Sequence, residues 1–246
     1  MAVMPGAANA GNDALVAAPG GQTQLGDRAT AFRIDPRRSV LYRVLHAILV
    51  AILVVWFRPR VRGRSAVPAT GPAILAPVHR SFIDFAFTAL LTRRKLFFMA
   101  KEELWRRAWF GRLLEALGVF PVHRSGTDRE SVRRAEDVLN GGHLLVMFPE
   151  GARRSGDRVG ELAEGVAFLA ARTGAPIVPI GISGSERAMK KGSRFPKPVR
   201  VTVSAGEPLI SPERTPGRRV ARSQIHRLSE SLQIRLQDCY DDAAAR

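Results

Sequence analysis

From residue 65 onward, short apolar runs alternate with segments of helical period, and this alternation leaves few folds open. AILAPV (73–78), KLFFMA (95–100), VFPV (119–122), HLLVMF (143–148), APIVPIGI (175–182) and VRVTVSA (199–205) read as strands. FIDFAFTALLTRR, LWRRAWFGRLLEAL, TDRESVRRAEDVLN and ELAEGVAFLAART read as the helices between them, with Gly118, Gly141–Gly142 and Gly174 as stops. RRVARSQIHRLSESLQIRLQDCY closes the pattern as an amphipathic helix. Strands that alternate with helices bury a sheet beneath them. The expected fold is α/β, a mixed, mostly parallel sheet covered by helices, with an N-terminal membrane-associated helix.

That N-terminal helix is read from VLYRVLHAILVAILVVWF, residues 40–57, the most apolar part of the chain. Val44 to Phe57 is broken only by His46. As a helix this core spans about 21 Å, against a bilayer hydrocarbon core of about 30 Å. The length suits a helix that dips into one leaflet better than one that crosses. Arg37, Arg38 and Arg43 flank it on one side and Arg58 to Arg64 on the other, where they can meet anionic headgroups. A buried core helix is the competing reading. Three regions result: a disordered tail (1–30, rich in Ala and Gly and without period), a membrane-associated helical segment with basic flanks (31–64), and the α/β domain (65–246).

The net charge is +16, so anionic partners are expected: a bilayer, a phosphorylated substrate or nucleic acid. One cysteine, Cys239, excludes an internal disulfide framework and a Cys-rich zinc site.

Two stretches share one spacing, HRSFID (79–84) and HRSGTD (123–128). Thr127 and Glu130 make a capping box around the second, which leaves Asp128 an ordinary first-turn acid. The first is different. Asp84 lies among Phe82, Ile83, Phe85 and FTALL, a helix with almost no polar face. A carboxylate there needs a partner. With the helix starting at a Ser81 cap, His79 precedes it and can fold back over the first turn. Asp84 then holds one imidazole nitrogen while the other takes a proton, the logic of a general-base dyad. No enzyme nucleophile stands nearby, so the nucleophile is read as a substrate hydroxyl.

FPEGARR (148–154) ends the strand HLLVMF with a proline, a turn glycine and two arginines. Arg124 follows VFPV and Lys101 follows KLFFMA. Ligands of open α/β sheets gather at the carboxyl ends of strands, and arginine's planar fork suits phosphate. Base and cations are expected to share a crevice.

HRSFID (79–84), GVFPVHR (118–124), FPEGARR (148–154) and VPIGI (178–182), in this order, resemble the four motifs of the glycerolipid acyltransferases, above all those of the 1-acyl-sn-glycerol-3-phosphate (lysophosphatidate) type. The resemblance covers about residues 70–205 and makes 65–246 an acyltransferase domain. It implies that His79 is the catalytic base and Asp84 its orienter. It implies substrate binding by Lys101, Arg124, Glu150, Gly151 and Arg153, with Pro179 as the fourth motif's proline. It places His123 inside the second motif. Val78, Pro121, Ala152 and Arg154 depart from the usual pattern without removing a charged group.

The resemblance further implies acyl transfer from acyl-CoA or acyl-carrier protein to the free hydroxyl of 1-acylglycerol-3-phosphate, giving phosphatidic acid. No metal or cofactor is expected beyond the thioester co-substrate. The expected partners are an anionic membrane surface, the lysophospholipid acceptor and the acyl donor, without nucleic acid; the expected place is the cytoplasmic face of the cell membrane. The alternatives are acylation of glycerol-3-phosphate or another polar lipid, and a non-catalytic basic protein that binds membrane or nucleic acid.

Overall fold

The computed structural model describes residues 36–101, 111–112, 114–115, 117–122, 129–190, 193, 195–211 and 220–245. The tail expected at 1–30, and most of the helix expected at 104–117, lie outside them.

The strands are β1 (Arg60–Arg62), β2 (Ala73–Pro77), β3 (Leu96–Lys101), β4 (Val119–Val122), β5 (Leu144–Val146), β6 (Ile177–Ser183) and β7 (Thr202–Ala205). They form one seven-stranded sheet in the order β1-β7-β6-β2-β5-β3-β4. From β6 to β4 every pairing is parallel. β7 runs antiparallel to β6, and β1 runs parallel to β7. The mixed, mostly parallel sheet is thus as expected, and β1 adds an edge that the sequence reading assigned to a basic flank. Two of its three residues are arginines, so it carries no apolar signature; Arg62 pairs with Asp242 at 2.9 Å.

β2 and β5 are buried at every position, so both faces of the central sheet are covered. The helices are α1 (Pro36–Phe57), α2 (Asp84–Thr88), α3 (Arg129–Asn140), α4 (Gly165–Thr173), α5 (Ser185–Ala188) and α6 (Arg222–Ala244). α6 lies on β6 and β7, and α4 packs between α3 and α6. The approach of α6 to β6 is so close that a Cβ at Gly181 would overlap the Cys239 carbonyl. This gives the glycine of VPIGI a packing reason.

α2 is far shorter than the expected FIDFAFTALLTRR helix. After Thr88 the chain tightens into turns in which Ala89, Leu90 and Leu91 each donate to the residue three back. The Ala89 carbonyl is taken by His46 of α1 at 3.1 Å.

α1 is 22 residues long. Tyr42, Leu53 and Phe57 are buried and His46 and Leu49 half-buried, so one stripe faces the domain along the helix. The Tyr42 hydroxyl donates to the Arg94 carbonyl and accepts from the Leu96 N–H, and the Phe57 and Phe87 rings meet edge to face at 5.2 Å. The other side exposes Val44, Ile48, Ile52, Val55 and Trp56. The segment Val40–Phe57 has a mean hydropathy of 2.3 and is long and apolar enough to cross a membrane.

Candidate active site

β2 ends at Pro77 and β5 at Val146, side by side and parallel, so the chain leaving each meets the other at their carboxyl ends. His79 follows β2, and Phe148, Pro149 and Glu150 follow β5. The His79 ring lies over the Phe148 ring, centroids 4.2 Å apart. Two backbone-level ties join the loops: the His79 N–H donates to Glu150 Oε2 at 2.8 Å, and the Arg154 N–H donates to the His79 carbonyl at 2.8 Å.

His79 and Asp84 meet. His79 Nδ1 lies 3.2 Å from Asp84 Oδ2. A carboxylate only accepts, so Nδ1 carries the proton and Nε2 is left as the basic nitrogen. Nε2 makes no hydrogen bond among the described residues, and the side chain is 20% exposed. The same Oδ2 also accepts from the Arg80 and Ser81 N–H groups, both at 2.6 Å. Three donors on one oxygen fix the carboxylate, which is fully buried. The fold-back of His79 over the first turn of α2 is the geometry read from HRSFID.

Ser81 differs from its expected use as a side-chain cap. Its hydroxyl donates to the Met189 carbonyl at 3.0 Å. Only the reciprocal half of the capping box forms, from the Ser81 N–H to Asp84.

Glu150 is buried and both its oxygens are used. Oε2 takes the His79 N–H; Oε1 takes Arg80 Nη1 at 2.9 Å and the Gly160 N–H at 3.1 Å. Arg80, also buried, donates through Nη2 to the Arg158 carbonyl and stacks over the Tyr240 ring at 4.9 Å. Burial raises the Tyr240 pKa, with Glu186 adding to the rise and Arg80 opposing it. Arg80 and Tyr240 had no part in the sequence reading. Arg80 stands inside HRSFID, but its partner is 70 positions away; Tyr240 has no local signal.

Gly151 turns the chain at φ 66°, a left-handed conformation that suits glycine, and its N–H donates to the Phe148 carbonyl. Arg153 follows. With Arg80, Ser81, Arg154, Glu186 and Lys190 it lines a cavity of about 320 Å³. Lys101 ends β3, and Pro179 sits in β6 in register with Ala76 of β2. The side chain of Lys101, together with Arg124, His123, Thr127 and Asp128, lies outside the described residues.

A second cavity, about 380 Å³ and apolar, runs between α1 and the sheet. Its walls include Tyr42, Ile48, Leu49, Phe85, Ala86 and Phe98. The segment 79–86 therefore carries the His79–Asp84 pair and lends wall residues to both cavities: Arg80 and Ser81 to the basic one, Phe85 and Ala86 to the apolar one.

The Acyltransferase family model matches residues 58–183, about half the chain. The chain belongs to this acyltransferase family. It is 26% identical over 163 residues to chloroplastic 1-acyl-sn-glycerol-3-phosphate acyltransferase LPAT1 of Arabidopsis thaliana, a match covering 65% of this chain and 46% of that protein. It is 27% identical over 173 residues to the 1-acyl-sn-glycerol-3-phosphate acyltransferase of Bacillus subtilis, covering 69% of this chain and 82% of that one. The crystal structure of PlsC, the 1-acyl-sn-glycerophosphate acyltransferase of Thermotoga maritima, superposes with a TM-score of 0.67 at 21% identity, over 88% of this chain and 86% of that one. That likeness extends the shared fold beyond the matched segment. The chain spans about half the length of several relatives it matches, and most of the length of the Bacillus subtilis protein.

Proposed function

We propose that this acyltransferase moves an acyl group from acyl-CoA or acyl-carrier protein to the free hydroxyl of 1-acylglycerol-3-phosphate, giving phosphatidic acid. The observation that carries the reading is the shared loop: a His79–Asp84 pair with a basic cavity on one side and an apolar groove on the other. A phosphate-bearing lipid needs both surfaces, and the hydroxyl between them needs a base.

His79 Nε2 takes the proton of the acceptor hydroxyl, and the oxygen attacks the thioester carbonyl. Asp84 holds the imidazole and stabilises the imidazolium that forms. The tetrahedral adduct collapses, the carbon–sulfur bond breaks, and the leaving thiolate recovers the proton from His79. Arg153 and Arg154 hold the acceptor phosphate in the basic cavity, with Arg124 and Lys101 from the neighbouring strand ends as further cations. Glu150 acts through His79 and Arg80, as a positioning residue. No metal takes part in this scheme.

α1 holds the enzyme at the cytoplasmic face of the cell membrane, lying in one leaflet. Its stripe from Tyr42 to Phe57 rests on the domain, and Tyr42 bonds the backbone of Arg94 and Leu96. A helix crossing the bilayer would have to give up that packing and the bonds of Tyr42 and His46 to the domain backbone. The exposed apolar face is free to enter the acyl layer.

Thiol release from acyl-CoA and from acyl-carrier protein, with lysophosphatidate or glycerol-3-phosphate as acceptor, tests the reading. Turnover that needs lysophosphatidate supports it; turnover on glycerol-3-phosphate alone gives the acceptor to the smaller substrate.

A further inference from the structure

The segment after α5 joins the site to the end of α1. Met189 accepts the Ser81 hydroxyl at 3.0 Å, and Lys190 lines the basic cavity. Farther on, the Lys197 N–H donates to the Ala188 carbonyl at 2.7 Å and closes a loop. Within it Ser193 donates to the Lys190 carbonyl through its N–H and to the Phe195 carbonyl through its hydroxyl. The Pro196 carbonyl then takes the indole N–H of Trp56, the penultimate residue of α1, at 3.2 Å. Just before the closing bond, Phe195 is 81% exposed. The loop is shaped by backbone bonds, and its one large apolar side chain contributes nothing to the core.

The neighbours of that side chain point to what it meets. Through Trp56 the loop adjoins the apolar face of α1, where Ile52, Val55 and Trp56 are exposed, Val55 by 76%. Lys190, Lys197 and Arg200, each within five positions of it in the chain, are exposed, and the sequence adds Lys191 and Arg194. An exposed apolar side chain in a basic stretch of chain, adjoining an apolar helix face and a tryptophan, matches an anionic bilayer surface.

We propose that the segment 195–197 is a second membrane-docking element, with Phe195 entering the headgroup–acyl boundary of an anionic bilayer beside α1. Two attachments, one on each side of Trp56, set the tilt of the domain as well as its distance. Lys190 ties the same segment to the basic cavity, so docking brings that cavity to the depth of lipid phosphates. The inference rests on the one-leaflet reading of α1 and adds to it a named point of insertion.

The test uses the full chain and sedimentation with vesicles of phosphatidylcholine and phosphatidylglycerol. Phe195→Ser should bind them roughly tenfold more weakly than wild type, the loss expected for one aromatic anchor. Its turnover of a soluble short-chain acceptor without vesicles should stay unchanged, since Phe195 has no part in the catalytic machinery. Phe195→Cys, labelled with a polarity-sensitive dye, should shift to the blue when vesicles are added; the native Cys239 is buried. Equal binding by Phe195→Ser and wild type, or a dye that does not respond while the protein sediments, overturns the inference and leaves the loop to a protein partner or to none. If wild type fails to sediment, this inference and the one-leaflet reading fall together, while the thiol-release assay judges the catalytic reading separately.

Discussion

Glu150 accepts the backbone N–H of His79 at 2.8 Å, and its other oxygen holds the guanidinium of Arg80 at 2.9 Å. The loop after β5 thereby fixes the loop that carries the proposed base. Glu150→Gln should lower kcat by about 10- to 100-fold, the scale of a displaced catalytic group, and leave the acceptor KM within about twofold. A raised KM with unchanged kcat would return Glu150 to direct acceptor binding. The substitution also strands a buried arginine, a loss of about 3–5 kcal/mol for a broken buried pair. Arg80→Met with Glu150→Gln should therefore cost less stability than the sum of the two single changes, as urea unfolding of all three variants can measure.

Arg153 stands exposed at the wall of the basic cavity, and among the described residues its side chain makes none of the bonds that hold Arg80. Arg153→Ala should raise the acceptor KM about tenfold or more with a smaller effect on kcat, because the bond to phosphate exists before and after the chemical step. Arg124→Ala should behave alike. Unchanged acceptor KM in both variants contradicts the placement of the phosphate.

Cys239 is buried under β6, and desolvation pushes its thiol up to about 11. At pH 8 the thiol stays neutral and closed to reagent, so iodoacetamide should label it only after denaturation. Its folded pKa lies above the unfolded value of roughly 8.5, so the folded state keeps its proton longer. Its contribution to stability is full below pH 8.5 and declines as pH rises toward 11. Cys239→Ala should lessen that alkaline decline; fast labelling of native protein contradicts the burial.

Gly181 lies against the backbone of Cys239 on α6. Gly181→Ala should push α6 off β6 and lower the unfolding midpoint, at a cost of roughly 1–3 kcal/mol for overpacking. An unchanged midpoint would mean that α6 sits farther from the sheet.

β2 to β7 were legible because each lies in a short apolar run that a glycine, a proline or a charge brings to an end. The meeting of His79 and Asp84 was legible for a local reason too: a carboxylate at an apolar helix start, five positions after a histidine, draws its partners from the residues just before it. β1 escaped because an edge strand of two arginines and a valine looks like a charged flank. α2 was overestimated because the apolar residues that follow Thr88 serve core packing in turns as well as they would in a helix. Arg80 escaped because one arginine among 38 basic residues reads as surface until Glu150 and Tyr240 are brought beside it. Such long-range pairings leave no mark in local sequence.

In the proposed reaction His79, oriented by Asp84, is the base of an acyl transfer. The direct measurement is thioester consumption with lysophosphatidate and acyl-CoA by wild type, His79→Ala, Asp84→Asn and His123→Ala, each checked for folding. His79→Ala should lose at least about 10²-fold in kcat, Asp84→Asn should lose substantially, and His123→Ala should retain activity. Wild-type turnover in His79→Ala, or its loss only in His123→Ala, would contradict that role.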